Sequence, residues 1–199
     1  MKKICVIAPH ADDETLGCGG AIMKHKKEGD KVHWVCVTSM VAGKKWTEKQ
    51  IKMRKNEINK VKIAYRFDKF ISLDLTPAEL NYMPITELID PLSKAISKMK
   101  PEVIYIPYAH DAHDDHLAVA KCFNAIGKWF RYSFIKKIIC YETLSETDFN
   151  LLTENSFKPN LYINISPYIN RKIKIMNIYS SEVGKHPFPR SNEVIRSLA

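Results

Sequence analysis

From Ile4 to Gly20 the chain reads Ile-Cys-Val-Ile-Ala-Pro-His-Ala-Asp-Asp-Glu-Thr-Leu-Gly-Cys-Gly-Gly. An apolar stretch suited to a buried strand ends at Pro9 and opens at once onto His10 and the carboxylates Asp12, Asp13 and Glu14. A packed core does not tolerate that density of titratable groups unpaired. The design recurs where Glu102-Val-Ile-Tyr-Ile-Pro107 leads into Tyr108-Ala-His-Asp-Ala-His-Asp-Asp-His116, so four of the seven histidines lie in two polar loops after strand-proline units. Imidazole nitrogen and carboxylate oxygen without a nearby thiolate suit zinc or another divalent first-row ion, and three protein ligands with an open position mark a catalytic site. At the carboxyl end of a parallel strand, the first loop would bring His10 and Asp13 close enough to grip one ion.

Simpler readings account for less. A helix N-cap needs one carboxylate, not three beside a histidine. Gly17, Gly19 and Gly20 lack a Walker lysine and dinucleotide spacing, so they do not form a phosphate cradle. Glu14 suits the positive end of the following helix, worth about 0.3–1 kcal/mol, or a position behind a ligand. His25 and His33 read as a surface helix residue and a strand residue.

The elements that must position these loops alternate. Strands are expected at Lys2–Ala8, Lys31–Ser39, Lys69–Leu73, Glu102–Pro107, Lys136–Glu142 and Leu161–Ile165. Helices are expected at Thr15–Lys27, Thr47–Ala64, Pro84–Met99, Leu117–Phe130 and Pro167–Tyr179. A loop containing Gly43 follows the second strand, and the glycine-rich first turn of the first helix allows close packing on the sheet. Such alternation argues for an α/β fold, a mostly parallel sheet with helices on both faces. The turn-rich tail from Gly184 to Arg190 is expected to fold over the sheet edge or the site.

At 199 residues with 45% hydrophobic content, one domain over 1–199 is the natural reading. No secretory h-region or bilayer-length apolar run is visible, which points to a soluble, cytoplasmic protein. The five cysteines are scattered and read as reduced thiols, mostly in the core. The net charge of +9 draws on the 44–69 segment, with ten Lys/Arg against three Asp/Glu. Without aromatic interleaving, a solvated helix face explains it better than a nucleic-acid partner.

Pro9-His10-Ala11-Asp12-Asp13-Glu14 resembles the Pro-His-Pro-Asp-Asp-Glu signature of the LmbE-like, PIG-L-type N-acetylglucosamine deacetylases, with Ala11 in place of the second proline. His113-Asp114-Asp115-His116 resembles their His-x-Asp-His motif, Arg54-Lys55-Asn56-Glu57 their Arg-x-x-Glu, and Asp111 falls where relatives often carry an aspartate. The family's Leu-Gly after that helix is replaced by Ile63-Ala64-Tyr65-Arg66. The resemblance implies a Rossmann-like fold in which His10, Asp13 and His116 bind zinc. It further implies that Asp12 is the general base, that His113 stands opposite as oxyanion stabiliser or acid, and that Arg54 contacts the sugar. Asp115 is a candidate to orient His113 and raise its pKa. Several relatives run on past the position where this chain ends, at Ala199.

Together these readings predict a zinc-dependent hydrolase that removes an N-acetyl group from an N-acetylglucosamine-type sugar or glycoconjugate. Its substrate is a small molecule or glycoconjugate, with no nucleic-acid partner and no membrane span; homo-oligomer formation is left open. The alternative is a metal-dependent sugar-binding protein of the same fold, which has no need of a base such as Asp12.

Overall fold

The computed structural model describes residues 1–41, 45–151 and 153–199; the expected loop glycine Gly43 lies outside the described residues. Strands β1 (Lys3–Ala8), β2 (Lys31–Thr38), β3 (Lys69–Leu75), β4 (Val103–Pro107) and β5 (Lys137–Tyr141) form one sheet in the order β3-β2-β1-β4-β5, and every neighbouring pair is parallel. The helices are α1 (Asp13–Lys27), α2 (Glu48–Tyr65), α3 (Ile85–Met99), α4 (Asp114–Ile126), α5 (Ile169–Met176) and α6 (Asn192–Leu198). Among the described residues no helix is long and apolar enough to cross a membrane.

The uninterrupted apolar run of β1 follows from burial on both faces, since side chains alternate across a strand. Ile4, Val6 and Ala8 meet Leu16, Ile22, Val61, Met176 and Ile195 in one core. Cys5 and Ile7 meet Leu88, Leu92, Ile96, Val119 and Phe123 in the other. From β1 the chain passes to β2 and β3 on one side, then returns to lay β4 and β5 on the other. The switch falls between β1 and β4, where Cys5 lies opposite Ile104 and Val6 opposite Tyr105. Open α/β sheets bind ligands in the crevice at such a point, and both polar loops leave the carboxyl ends of these two strands.

Helix α1 packs tightly because it carries glycines where neighbours come closest. A Cβ on Gly17 would stand 2.2 Å from the Tyr141 ring and 2.8 Å from the Glu142 carbonyl oxygen, and one on Gly20 would stand 2.3 Å from Ile165. The Tyr141 hydroxyl in turn donates to the Ile7 carbonyl at 2.8 Å, tying β5 to β1 beneath the site.

Four expectations are corrected. Leu161–Ile165 is not a strand: Ile165 packs on α1 at Gly20, Leu161 and Tyr162 are exposed, and the backbone stays outside the sheet. Helix α4 starts at Asp114, not Leu117, because His113 caps it by accepting the Asp115 N–H, and it stops at Ile126, before Gly127. Helix α5 is shorter than Pro167–Tyr179. Helix α6, absent from the sequence reading, is capped by the buried Ser191, which accepts the Val194 N–H. At the replaced Leu-Gly turn, Arg66 takes the left-handed conformation itself (φ 57°, ψ 48°) and ends α2.

Gly17→Ala is expected to lower stability by about 1–3 kcal/mol through overpacking against Tyr141 and the Glu142 backbone. At roughly 2–4 °C per kcal/mol for a chain of this size, thermal unfolding reads this as a fall of several degrees. An unchanged melting temperature would contradict the close packing of α1 on β5.

Candidate active site

Two helix N-termini meet over the switch point, α1 opening at Asp13 and α4 at Asp114 just after His113. The His10 ring centroid lies 4.4 Å from that of His113 and 5.5 Å from that of His116. Asp13 stands between two of these rings, its Oδ2 3.3 Å from His10 Nδ1 and 3.2 Å from His116 Nε2, and it also accepts the His10 backbone N–H at 2.8 Å.

The two imidazoles beside Asp13 are each held from behind by a carboxylate. His10 Nε2 meets Asp115 Oδ2 at 2.9 Å and His116 Nδ1 meets Asp111 Oδ2 at 2.7 Å. The backing carboxylates are themselves fixed: Asp115 accepts the N–H groups of Ala78 (2.7 Å) and Leu80 (3.1 Å), and Asp111 accepts the Thr147 hydroxyl (2.6 Å). A carboxylate behind a ring places the proton on that nitrogen and leaves the lone pair of a neutral imidazole on the other. The free atoms, His10 Nδ1 and His116 Nε2, both face Asp13. His116 Nε2 is buried without a hydrogen bond, although Asp13 stands within ion-pair distance. Donor atoms of His10, Asp13 and His116 all lie within 4.8 Å of one another, a nitrogen-nitrogen-oxygen set that fits a divalent cation.

Without a cation, protons take its place. Burial opposes the charged form of His10, but its bonds to Asp115 and Asp13 outweigh this and raise its pKa to about 9. Burial likewise opposes protonation of His116, yet Asp13 and Asp111 raise it to about 10. For Asp13, burial pushes upward and the two histidines pull harder, leaving it well below the usual carboxylate range.

Beside this set, Asp12 is buried, and burial followed by the neighbouring Asp13 charge raises its pKa to about 7. Its backbone lies at φ 152°, where side chains are rarely found, with its N–H held by Glu14 at 3.1 Å. Glu14 itself is fully buried and accepts the hydroxyls of Thr15 and Tyr179.

The expected pairing of Asp115 with His113 is corrected. It is the backbone N–H of Asp115 that donates to His113 Nδ1, at 3.1 Å, while the carboxylate serves His10. Burial, and next the charge of His10, lower the His113 pKa to about 4, so the Asp115 charge does not raise it above the ordinary value. Accepting at Nδ1 places the proton of neutral His113 on Nε2.

These groups line a cleft of about 230 Å³. One wall is apolar, built from Met40, Trp46, Ile51, Ile58 and Pro77. The lining also includes three residues that sequence reasoning did not single out: Glu146, Glu182 and Arg190. Arg190 donates to Asp12, Glu182 and Glu146, and the tail that carries it does fold over the site. Arg54 also lines the cleft, donating to the Ala11 carbonyl and Ser181 hydroxyl at 3.0 Å each and pairing with Glu182. Glu57, its partner in the Arg-x-x-Glu pattern, accepts both the N–H and the hydroxyl of Ser180. No local spacing announces Glu146, Glu182 or Arg190; only the Pro-rich tail hinted that its segment would return.

Sheet order and site together define a Rossmann-like α/β protein with a His-Asp-His cluster at the switch point. The family model described as PIG-L, GlcNAc-PI de-N-acetylase, matches residues 5–126, and the chain belongs to that family. Among solved structures, the fold resembles the conserved protein TT1542 from Thermus thermophilus at 22% identity and TM-score 0.76, covering 99% of this chain and 84% of that one. It resembles N,N'-diacetylchitobiose deacetylase from Pyrococcus horikoshii at 21% identity and TM-score 0.77, covering 100% and 77%. It also resembles GalB, the 4-carboxy-2-hydroxymuconate hydratase from Pseudomonas putida, at 17% identity and TM-score 0.74, covering 100% and 85%.

Because both histidines hold protons above neutral pH when no cation is bound, metal uptake near pH 7 is expected to release up to ~2 protons and to weaken as pH falls. Calorimetric titration of metal-free protein with a divalent ion, in buffers of different ionisation enthalpy, measures this. Uptake without proton release would show that the two rings are already neutral.

Proposed function

We propose that the protein is a zinc-dependent hydrolase that removes the N-acetyl group from an N-acetylglucosamine-type sugar or glycoconjugate, giving free amine and acetate. The observation that carries this is the convergence of His10 Nδ1, Asp13 Oδ2 and His116 Nε2 beside the buried Asp12 carboxylate. Membership of the de-N-acetylase family supports it. The likeness to GalB, a hydratase by name, shows why the reading must rest on the site and not on the sheet.

His10, Asp13 and His116 would hold the metal, which when bound polarises the amide carbonyl and makes water a better nucleophile at neutral pH. Asp12 takes the proton that water loses as its oxygen bonds to the carbonyl carbon. Neutral His113, with its proton on Nε2, donates a hydrogen bond to the oxygen on which negative charge develops. Asp12 then returns its proton to the nitrogen as the carbon-nitrogen bond breaks. Asp115 keeps His10 oriented, and Arg54 contacts the sugar. The wall of Trp46, Met40 and Pro77 receives the apolar face of the substrate.

The decisive assay measures amine and acetate release from a panel of N-acetylglucosamine derivatives, with zinc supplied and then chelated. No release from any of them overturns the reading, and metal-dependent sugar binding without release would make the protein a binder instead. Asp12→Asn is expected to retain zinc while kcat falls by on the order of 10²–10⁴. Loss of the metal along with the rate would make Asp12 a ligand.

Arg54→Ala is expected to raise KM more than it lowers kcat, with zinc content unchanged. Because the same side chain ties Ala11 to the 181–182 turn, unfolding must be followed alongside. Unchanged kinetics in a folded variant would remove Arg54 from the substrate site.

A further inference from the structure

We infer that Arg190, on the C-terminal segment, is a positioning residue that fixes the Asp12 carboxylate for proton transfer; this rests on the deacetylase reading. Arg190 Nη1 donates to Asp12 Oδ2 at 2.8 Å, the one hydrogen bond that carboxylate receives among the described residues. Asp12 needs such a partner. It is 5% exposed, adjoins the charged Asp13, and hangs from a backbone at φ 152°. A carboxylate so placed is repelled by its neighbour and is held by little else in its own loop.

The guanidinium is fixed on every nitrogen. Nε donates to the Ser145 hydroxyl at 2.6 Å, Nη2 to Glu146 at 3.1 Å, and Nη1 also to Glu182 at 3.2 Å. These bonds fix the plane of the Arg190 guanidinium, and its planar fork sets the direction of the bond to Asp12. Behind it, Ser191 caps α6 and Ile195 is buried in the core, so helix docking holds the arginine in place. Glu182 extends the support by bridging to Arg54. The C-terminal segment therefore belongs to the apparatus that aims the base, although it lies far in sequence from the motif that contains it.

The test compares the zinc-loaded wild type with Arg190→Ala, Arg190→Gln and Arg190→Lys, reading kcat and KM separately together with zinc content and thermal unfolding. A misaimed base is expected to lower kcat by on the order of 10²-fold in the alanine and glutamine variants, with KM, metal content and melting temperature close to wild type. Millimolar guanidinium ion is expected to return at least about tenfold of the lost kcat to Arg190→Ala. Lysine, which keeps the charge but not the fork, recovers less. Retention of the wild-type rate, a loss confined to KM, or a loss that guanidinium does not repair in a folded, zinc-loaded variant overturns the inference. An inactive wild type instead brings down the deacetylase reading and this role with it, whereas an active wild type indifferent to position 190 removes the positioning role alone.

Discussion

One carboxylate stands between two imidazoles, and most of the fold can be traced to that arrangement. Asp13 can meet His10 and His116 together only if the loops after β1 and β4 are neighbours, which requires the chain to lay β2 and β3 on one side of β1 before returning for β4. Two helix N-termini then converge on the same spot, and their positive dipole ends make a dense acidic cluster tolerable. The orientation of each ring comes from behind, from Asp115 and Asp111, which are held by the backbone N–H groups of Ala78 and Leu80 and by the Thr147 hydroxyl.

Charge is distributed in two layers with different purposes. Helix α2 carries part of the excess of lysine and arginine, and its Lys49, Lys52, Lys55 and Lys60 are exposed. Inside the cleft the charges are mixed, with Asp12, Asp13, Glu146 and Glu182 facing Arg54, Lys55 and Arg190. Net charge therefore describes the outer surface and says little about the site. A cation bound by the histidine-aspartate set would add positive charge where the cleft is most acidic, and it would replace the protons that His10 and His116 otherwise hold.

Much of this was visible in the sequence because its signals are local. A continuous apolar run of β-branched residues ending in proline marks a strand buried on both faces, and the alternation of such runs with amphipathic stretches determined the parallel α/β class. The strand-proline units before His10 and before His113 likewise marked the two polar loops, and the resemblance to the deacetylase signature implied that His10, Asp13 and His116 share an ion. What only the tertiary structure decided involves groups distant in sequence. Asp115 serves His10 and not His113, because the start of α4 turns its backbone N–H toward His113 and its carboxylate across the cleft. Leu161–Ile165 does not join the sheet and sets only Ile165 against α1 at Gly20, because an apolar, β-branched composition does not record hydrogen-bond partners. Arg190 reaches Asp12 across 178 positions. No periodicity carries that information, since an ion pair formed by chain return depends on where α6 docks.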